Sequence, residues 1–218
     1  MGWASTALSP LSREFIEFAA RRGLPALDIG GAPGTVASAA REAGATVVVN
    51  DLNAALISDT ALTVVIGHFP REVHFEPESL GAVHASNVFH FLTGNQLEAG
   101  LCAIAKWLVP GGTLFAQTST PYQAPFAAFI PEYERRVAAG VKWPGWLEKA
   151  SEFARHRQMG QMPRSLHLLD DAVLARAAEA AGLTVERAWL FRRPDFPRTL
   201  HLDGRESAAL IAVKAVTS

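Results

Sequence analysis

The feature that most constrains this chain is a pair of acidic residues, each at the end of an apolar run, with a glycine-rich turn after the first. One run ends at Asp28, a turn over residues 30–34 follows, and alanines at helical spacing come next. The second run, 46–50, is largely β-branched, and Asp51 follows directly at its carboxyl end. Such runs are typical of buried parallel strands. The order predicts strand, turn, helix and strand, with Asp51 at the sheet edge where ligands bind.

The turn predicts a nucleoside cofactor that carries no phosphate. Gly30, Gly31 and Gly34 permit backbone angles and a close ligand approach that a Cβ would obstruct. The dinucleotide pattern G-x-G-x-x-G is not met in either reading frame. The Asp28 carboxylate would repel a pyrophosphate but attract a ligand ammonium group, directly or through water. S-adenosylmethionine has that ammonium group, a ribose diol for Asp51 and no phosphate.

These residues resemble motif I of the class I S-adenosylmethionine-dependent methyltransferases, commonly D-x-G-x-G-x-G. Asp28, Gly30 and Gly34 match it, and Ala32 stands in place of the middle glycine. The resemblance implies S-adenosylmethionine as cofactor and S-adenosylhomocysteine as its product. The cofactor-binding residues it implies are Asp28, Gly30, Gly31, Gly34, Asp51, Leu52, His68, Phe69, Ser86 and Asn87. At His68 the family often has an aspartate that touches adenine.

The resemblance extends beyond the turn and implies the fold. Residues 80–92 look like the family's fourth strand and the turn after it, and 107–115 look like its L-x-P-G-G turn into strand five. Apolar spacing predicts helices over 95–108 and 171–181, and two strands close the chain as a hairpin. The expected α/β fold is Rossmann-like, a mostly parallel seven-stranded sheet with an antiparallel last strand and helices on both faces.

The expected organisation is a single domain over 1–218, with residues 120–168 as a lid over the site. Nearly fifty residues are too many for an ordinary connection between a helix and a strand. Within this insertion the sequence predicts helices over 126–139 and 146–158. Its aromatic residues line a substrate cavity or form the lid's own core.

The candidates for a general base are His90 and Tyr122. Methyl transfer from a sulfonium is an in-line displacement, so alignment supplies most of the catalysis. An alcohol or phenol acceptor gains from a base, whereas a carboxylate or thiolate does not need one. The residues 86–89, Ser-Asn-Val-Phe, depart from the Asp/Asn-Pro-Pro-aromatic motif, which disfavours methylation of bases and glutamine amides.

The amino-acid composition limits the kinds of partner that this protein is expected to bind. With 20 basic and 21 acidic residues the formal charge is −1, which gives no global attraction for nucleic acid or an acidic membrane. No apolar run reaches the ~18 residues of a membrane span, and the single cysteine fits a reducing compartment. We expect a cytoplasmic protein with a small-molecule substrate, methylated on oxygen or nitrogen, and no metal. The pattern leaves the oligomeric state open.

The sequence is also compatible with three alternative functions. The first is an NAD(P)-dependent oxidoreductase, which the glycine spacing disfavours. The second is a catalytically silent, S-adenosylmethionine-binding regulatory protein, suggested by Ala32 and His68. The third is an RNA 2′-O-methyltransferase, because these share the Ala-Pro-Gly of residues 32–34. Their Lys-Asp-Lys-Glu set, however, requires an aspartate that this fourth strand lacks.

Overall fold

The structure, a computed structural model, describes residues 7–153 and 163–216. In this part of the chain the strands are β1 (Ala26–Ile29), β2 (Val47–Asp51), β3 (Thr63–Ile66), β4 (Leu80–Ser86), β5 (Leu108–Ser119), β6 (Trp146–Leu147), β7 (Leu166–His167), β8 (Leu183–Phe191) and β9 (Ser207–Lys214). The α-helices are α1 (Pro10–Arg22), α2 (Thr35–Glu42), α3 (Gly94–Trp107), α4 (Ile130–Ala138) and α5 (Asp171–Ala180).

Seven strands form the main sheet in the order β3-β2-β1-β4-β5-β9-β8. The first five strands pair in parallel, and β9 is antiparallel to both of its neighbours, β5 and β8. The predicted Rossmann-like sheet with an antiparallel last strand is therefore confirmed. That antiparallel strand lies inside the sheet, and β8 forms the edge.

Helices cover both faces of the sheet, as predicted. Phe15 of α1 and Ala37 of α2 belong to the apolar core on one face. Leu101 of α3 and Leu174 of α5 belong to the core on the other. Because successive residues of a strand point to opposite faces, Leu27 and Ile29 of β1 enter the second core, and the residue between them points towards α1.

Side chains fix the beginnings of three helices. The Ser9 hydroxyl accepts a hydrogen bond from the Ser12 N–H at the start of α1. Thr93 and Gln96 form a reciprocal capping box on α3, and Asp170 accepts from the Val173 N–H on α5. Each bond satisfies an N–H that has no partner inside its helix. The helix α2 begins at Gly34 with no side-chain cap.

The insertion over 120–168 has its own apolar core in its described part. A 3-10 turn at Ala124–Phe126 leads into α4, which agrees with the helix predicted over 126–139. We call this insertion, residues 120–168, the cap. The core of its described part comprises Tyr122, Phe126, Phe129, Tyr133, Leu147, Ala150, Leu166 and Leu168. The aromatic residues that the sequence singled out here largely form the insertion's own core.

The helix predicted over 146–158 is wrong in the part that the structure describes. Trp146 and Leu147 form a strand that pairs with β7, and a 3-10 turn follows at Ala150–Glu152. The Ala150 N–H donates to the Arg164 carbonyl at 2.8 Å, and the Leu168 N–H donates to the Gly145 carbonyl at 2.9 Å. Backbone bonds across the insertion thus replace those of a helix. Residues 154–158 lie outside the described residues.

Among the helices that the structure describes, none has the length and apolarity needed to cross a bilayer.

Candidate functional site

The carboxyl ends of β1, β2 and β4 meet at one edge of the sheet and carry most of the predicted site residues. Ile29 at the end of β1 is in register with Asn50 on one side and Ala85 on the other. The N–H groups of Gly30 and Gly31 both donate to the Asn50 carbonyl, at 2.8 and 3.1 Å. The glycine-rich turn is therefore fixed to the end of β2.

Asp51 connects the two loops at this edge. Its Oδ2 accepts a hydrogen bond from the Ala32 N–H, and its Oδ1 accepts one from the Asn53 N–H, each at 3.2 Å. The residue is partly exposed. An ionised carboxylate has about four lone-pair directions, so both oxygens keep capacity for further donors. Asp51 is held in place and still open to a ligand.

Asp28 is buried, and its closest partner is an imidazole. Its Oδ1 lies 2.7 Å from His84 Nδ1, and the two side chains are 2% and 1% exposed. Its Oδ2 has no hydrogen-bond partner among the residues described. The sequence reasoning missed His84. A polar residue inside the buried strand Ala82 to Ala85 was the available signal, because buried polar groups require partners.

The glycines of the turn make room for the protein's own side chains. A Cβ on Gly30 would collide with Val88, and one on Gly31 would lie 2.6 Å from Asp28 Oδ2. The sequence assigned this space to a ligand, but here two side chains occupy it. Gly34, with a φ of +98°, has the left-handed conformation that begins α2.

Exposed apolar side chains lie beside Asp51. Leu52 is 58% exposed, and Ile66, in register with Asp51 on β3, is 62% exposed. His68 is also exposed, and its N–H donates to Glu72 at 2.9 Å. The sequence reasoning missed Ile66, because a β-branched residue in a strand normally indicates core. Together these side chains form an open, partly apolar surface at the ends of β2 and β3.

Phe69 lies away from that surface. It is 8% exposed, and its ring is 6.5 Å from that of Phe89 and 6.3 Å from that of Trp107. A Cβ on Gly100 would lie 2.7 Å from its ring. These contacts account for Phe69 as a core residue, so we do not include it among the candidate ligand contacts.

Ser86 and Asn87 lie at the end of β4 with a partner on β5. Gln117 Nε2 donates to Ser86 Oγ at 2.6 Å, and the Asn87 N–H donates to the Gln117 carbonyl at 2.8 Å. Asn87 has a φ of +56°, an uncommon left-handed conformation for a residue with a side chain. Gln117 is buried, and its Oε1 has no partner in the part of the chain described. Sequence reasoning missed Gln117.

Neither predicted base has the properties of an efficient one. His90 is 8% exposed, and burial lowers its pKa to about 4. Burial raises the pKa of the Tyr122 phenol, whose ring lies 3.7 Å from the Arg205 guanidinium. A general base works best with a pKa near the working pH. Over the described residues, no group of three or more His, Cys, Asp or Glu side chains could hold a metal ion.

We compared the sequence with protein-family models and curated proteins, and the fold with solved structures. Residues 4–188 match a family model described as a methyltransferase domain. Among solved structures, a SAM-dependent methyltransferase from Methanosarcina mazei superposes with a TM-score of 0.69 at 14% identity, covering 96% of this chain and 99% of that one. No curated protein matches the sequence significantly.

Two further solved structures share the fold. An S-adenosylmethionine-dependent methyltransferase from Mesorhizobium loti gives a TM-score of 0.63 at 20% identity, covering 94% of this chain and 96% of that one. A SAM-dependent methyltransferase from Archaeoglobus fulgidus gives 0.61 at 15% identity, with coverages of 93% and 90%. At these identities the likeness shows a shared fold.

Proposed function

Because the chain belongs to the S-adenosylmethionine-dependent methyltransferases, we propose that it methylates a small-molecule acceptor on an oxygen or nitrogen atom. S-adenosylmethionine is the cofactor of this family. When bound, it supplies a methyl group on a positively charged sulfur.

Asp51 is the observation that carries the assignment of the cofactor site. Its carboxylate lies at the end of β2, bonded to the Ala32 N–H of the glycine-rich turn and still partly exposed. A carboxylate with open lone pairs suits the two hydroxyls of a ribose. Leu52 and Ile66 beside it offer an apolar surface for a nucleoside base.

Asp28 is the residue that we assign to the ammonium group of the cofactor. Asp28 Oδ2 is a buried carboxylate oxygen without a partner in the residues described, next to the turn at Gly31. An ammonium group would satisfy this oxygen, because a buried polar atom without a hydrogen-bond partner is costly. A pyrophosphate would instead face two carboxylates, which argues against a dinucleotide cofactor.

We place the acceptor at the ends of β4 and β5, beneath the cap. Gln117 Oε1 offers a hydrogen-bond acceptor for an O–H or N–H group of the substrate, and Ser86 lies against the same amide. The cap contacts the loop after β4 through His167 Nδ1, 3.1 Å from the Leu92 carbonyl, and directly after the cap the Leu169 N–H donates to the Ser119 carbonyl at the end of β5. The pKa values of His90 and Tyr122 suit neither to act as a base. Gln117 and Ser86 therefore chiefly orient the acceptor, and the cap excludes water.

Calorimetry tests the cofactor assignment. We expect S-adenosylhomocysteine to bind the native protein and NAD⁺ not to bind. Asp51→Ala should weaken S-adenosylhomocysteine about ten- to a hundredfold, as expected for lost hydrogen bonds to a charged group. Asp203→Ala is the matched control, because Asp203 also accepts from the N–H two residues further on. Binding of NAD⁺ alone, or equal affinity in both variants, would contradict the proposal.

A methyl-label experiment tests the acceptor class. The protein is incubated with S-adenosylmethionine labelled in its methyl group and with cell extract separated into small molecules, RNA and protein. We expect label in the small-molecule fraction. Label only in RNA or only in protein would overturn the acceptor assignment. Cofactor binding without label in any fraction would favour the silent regulatory alternative.

A further inference from the structure

A buried polar chain connects the glycine-rich turn to the first turn of α1. Asp28 Oδ1 lies 2.7 Å from His84 Nδ1, His84 Nε2 lies 3.2 Å from Ser12 Oγ, and Ser12 Oγ lies 2.9 Å from Ser9 Oγ. Each of these side chains is at most 5% exposed. Buried polar groups linked in this way restrict one another's orientation, because each lost bond leaves an unsatisfied group.

Packing against α1 also restrains the imidazole of His84. The ring of Phe15, on α1, stacks on His84 with centroids 5.0 Å apart and an angle of 29° between the planes. Phe15 itself is fully buried. The ring of His84 thus lies between Phe15 of α1 and Asp28 of β1, and its Nδ1 faces Asp28 Oδ1.

The consequence for Asp28 is that only one of its oxygens is committed. With Oδ1 bonded to His84, Oδ2 is directed to Gly31, where a Cβ would lie only 2.6 Å away. A carboxylate without the imidazole could rotate about its last bond and turn away from the glycine-rich turn. His84 therefore decides which way the acid of the turn faces.

We propose that His84 and Ser12 are positioning residues that hold Asp28 for the ammonium group of the cofactor's amino acid and couple the docking of α1 to cofactor affinity. This inference rests on the proposed contact of Asp28 with the cofactor. Because such coupling is reciprocal, cofactor binding should also protect the first turn of α1. The acceptor plays no part in it.

The test uses two ligands that share the nucleoside. S-adenosylhomocysteine carries the amino acid, and 5′-methylthioadenosine lacks it. His84→Gln places an amide nitrogen one bond further from the backbone than Nδ1, so the bond to Asp28 is lost. We expect it to weaken S-adenosylhomocysteine at least tenfold, as for a lost contact to a charged group, and to change 5′-methylthioadenosine by less than threefold. Both affinities come from calorimetry.

Two matched variants separate positioning from general damage. In His84→Asn the amide nitrogen lies as many bonds from the backbone as Nδ1, so it should restore S-adenosylhomocysteine affinity to within about threefold of native. Ser12→Ala removes the link to α1 and leaves the Asp28 bond. It should weaken S-adenosylhomocysteine about threefold and reduce the ligand-induced protection of α1 in hydrogen exchange.

The outcomes are distinguishable. If the native protein fails to bind S-adenosylhomocysteine, the proposed function is wrong. If the native protein binds it but His84→Gln loses both ligands equally, or His84→Asn gives no rescue, the positioning role is wrong. Asp51→Ala shows what an equal loss of both ligands looks like, because it removes a contact to the ribose that both ligands share. Should His84→Gln not fold, Ser12→Ala alone decides, and unchanged affinity together with unchanged protection of α1 would overturn the proposal.

Discussion

Gly31 lies where the side chains of Asp28 and Val49 leave no room for a Cβ. One placed there would be 2.6 Å from Asp28 Oδ2 and 2.9 Å from Val49 Cγ1. Both neighbours are buried on β1 and β2 and have little freedom to move. At the scale of a single residue, the glycine allows the acid of β1 to remain beneath the turn.

We therefore expect Gly31→Ala to lower the free energy of unfolding by about 1–3 kcal/mol, the usual range for overpacking. Urea denaturation measures it. Gly23→Ala is the control, because a Cβ at Gly23 meets nothing within 4 Å and strains only its φ of +66°. That control should cost about 1 kcal/mol. No loss of stability in Gly31→Ala would mean that Asp28 and Val49 relax freely, because Gly31 has none of the φ strain of the control.

Whether a site residue could be predicted from the sequence depends on how far away in the chain its contacts lie. Asp28 and Asp51 were found because their neighbours along the chain carry the signal. His84 and Gln117 were missed, because His84 contacts a residue 56 positions away and Gln117 contacts one 31 positions away. A contact across strands leaves no mark in a local pattern. The packing of Phe69 in the core was ambiguous for the same reason.

At the scale of elements, α3 has a local signal at its beginning. Thr93 Oγ1 accepts from the Gln96 N–H at 3.3 Å, and Gln96 Oε1 accepts from the Thr93 N–H at 2.9 Å. Two N–H groups at the start of the helix are thereby satisfied, one of them an N–H of the first turn. The helix also presents Leu97, Leu101 and Ile104 to the core.

Thr93→Ala should destabilise the protein by about 1 kcal/mol, because it removes one bond of the box. Thr93→Ser should recover most of the loss, since it keeps a hydroxyl at the same place. Asn95→Ala changes a neighbouring exposed residue and leaves the box intact. Chemical denaturation compares the variants. If Thr93→Ala and Asn95→Ala lose equal stability, the box contributes nothing measurable.

Helices could be predicted where neighbouring residues in the sequence carry a helical pattern and a helix end, and not where the structure depends on distant residues. The helices predicted over 95–108 and 171–181 are observed at Gly94–Trp107 and Asp171–Ala180. Apolar periodicity and a terminal cap or glycine suffice for both. The helix predicted over 146–158 failed because Trp146 pairs with His167, about twenty residues further along the chain. Strand pairing over that distance depends on tertiary contacts that propensity does not contain.

At the scale of the whole molecule, the family resemblance and not the periodicity predicted a mostly parallel seven-stranded sheet with an antiparallel last strand, and the sequence predicted no strand order. Hydrophobic patterns identify strands but do not specify which strand lies beside which. The cap illustrates the same limit, because its contacts with the rest of the fold join residues that are far apart in the sequence. One of them joins His167 Nδ1 to the Leu92 carbonyl, close to the buried His90.

These two histidines make the stability of the whole molecule sensitive to acid. Burial lowers the pKa of His90, and likewise of His167, from 6.5 to about 4. Below pH ~6.5 the unfolded chain binds protons at both sites while the folded protein does not, so stability is lost as the pH falls towards 4. Over that pH range, each histidine lowers the free energy of unfolding by up to about 3 kcal/mol.

Urea denaturation between pH 7 and 4.5 tests this effect. His90→Leu should reduce the slope of the unfolding free energy against pH by the equivalent of about one proton. His74→Gln, a change at an exposed histidine, should leave it as in the native protein. A slope that is the same in His90→Leu and the native protein would show that the buried imidazole binds its proton equally well when folded and unfolded.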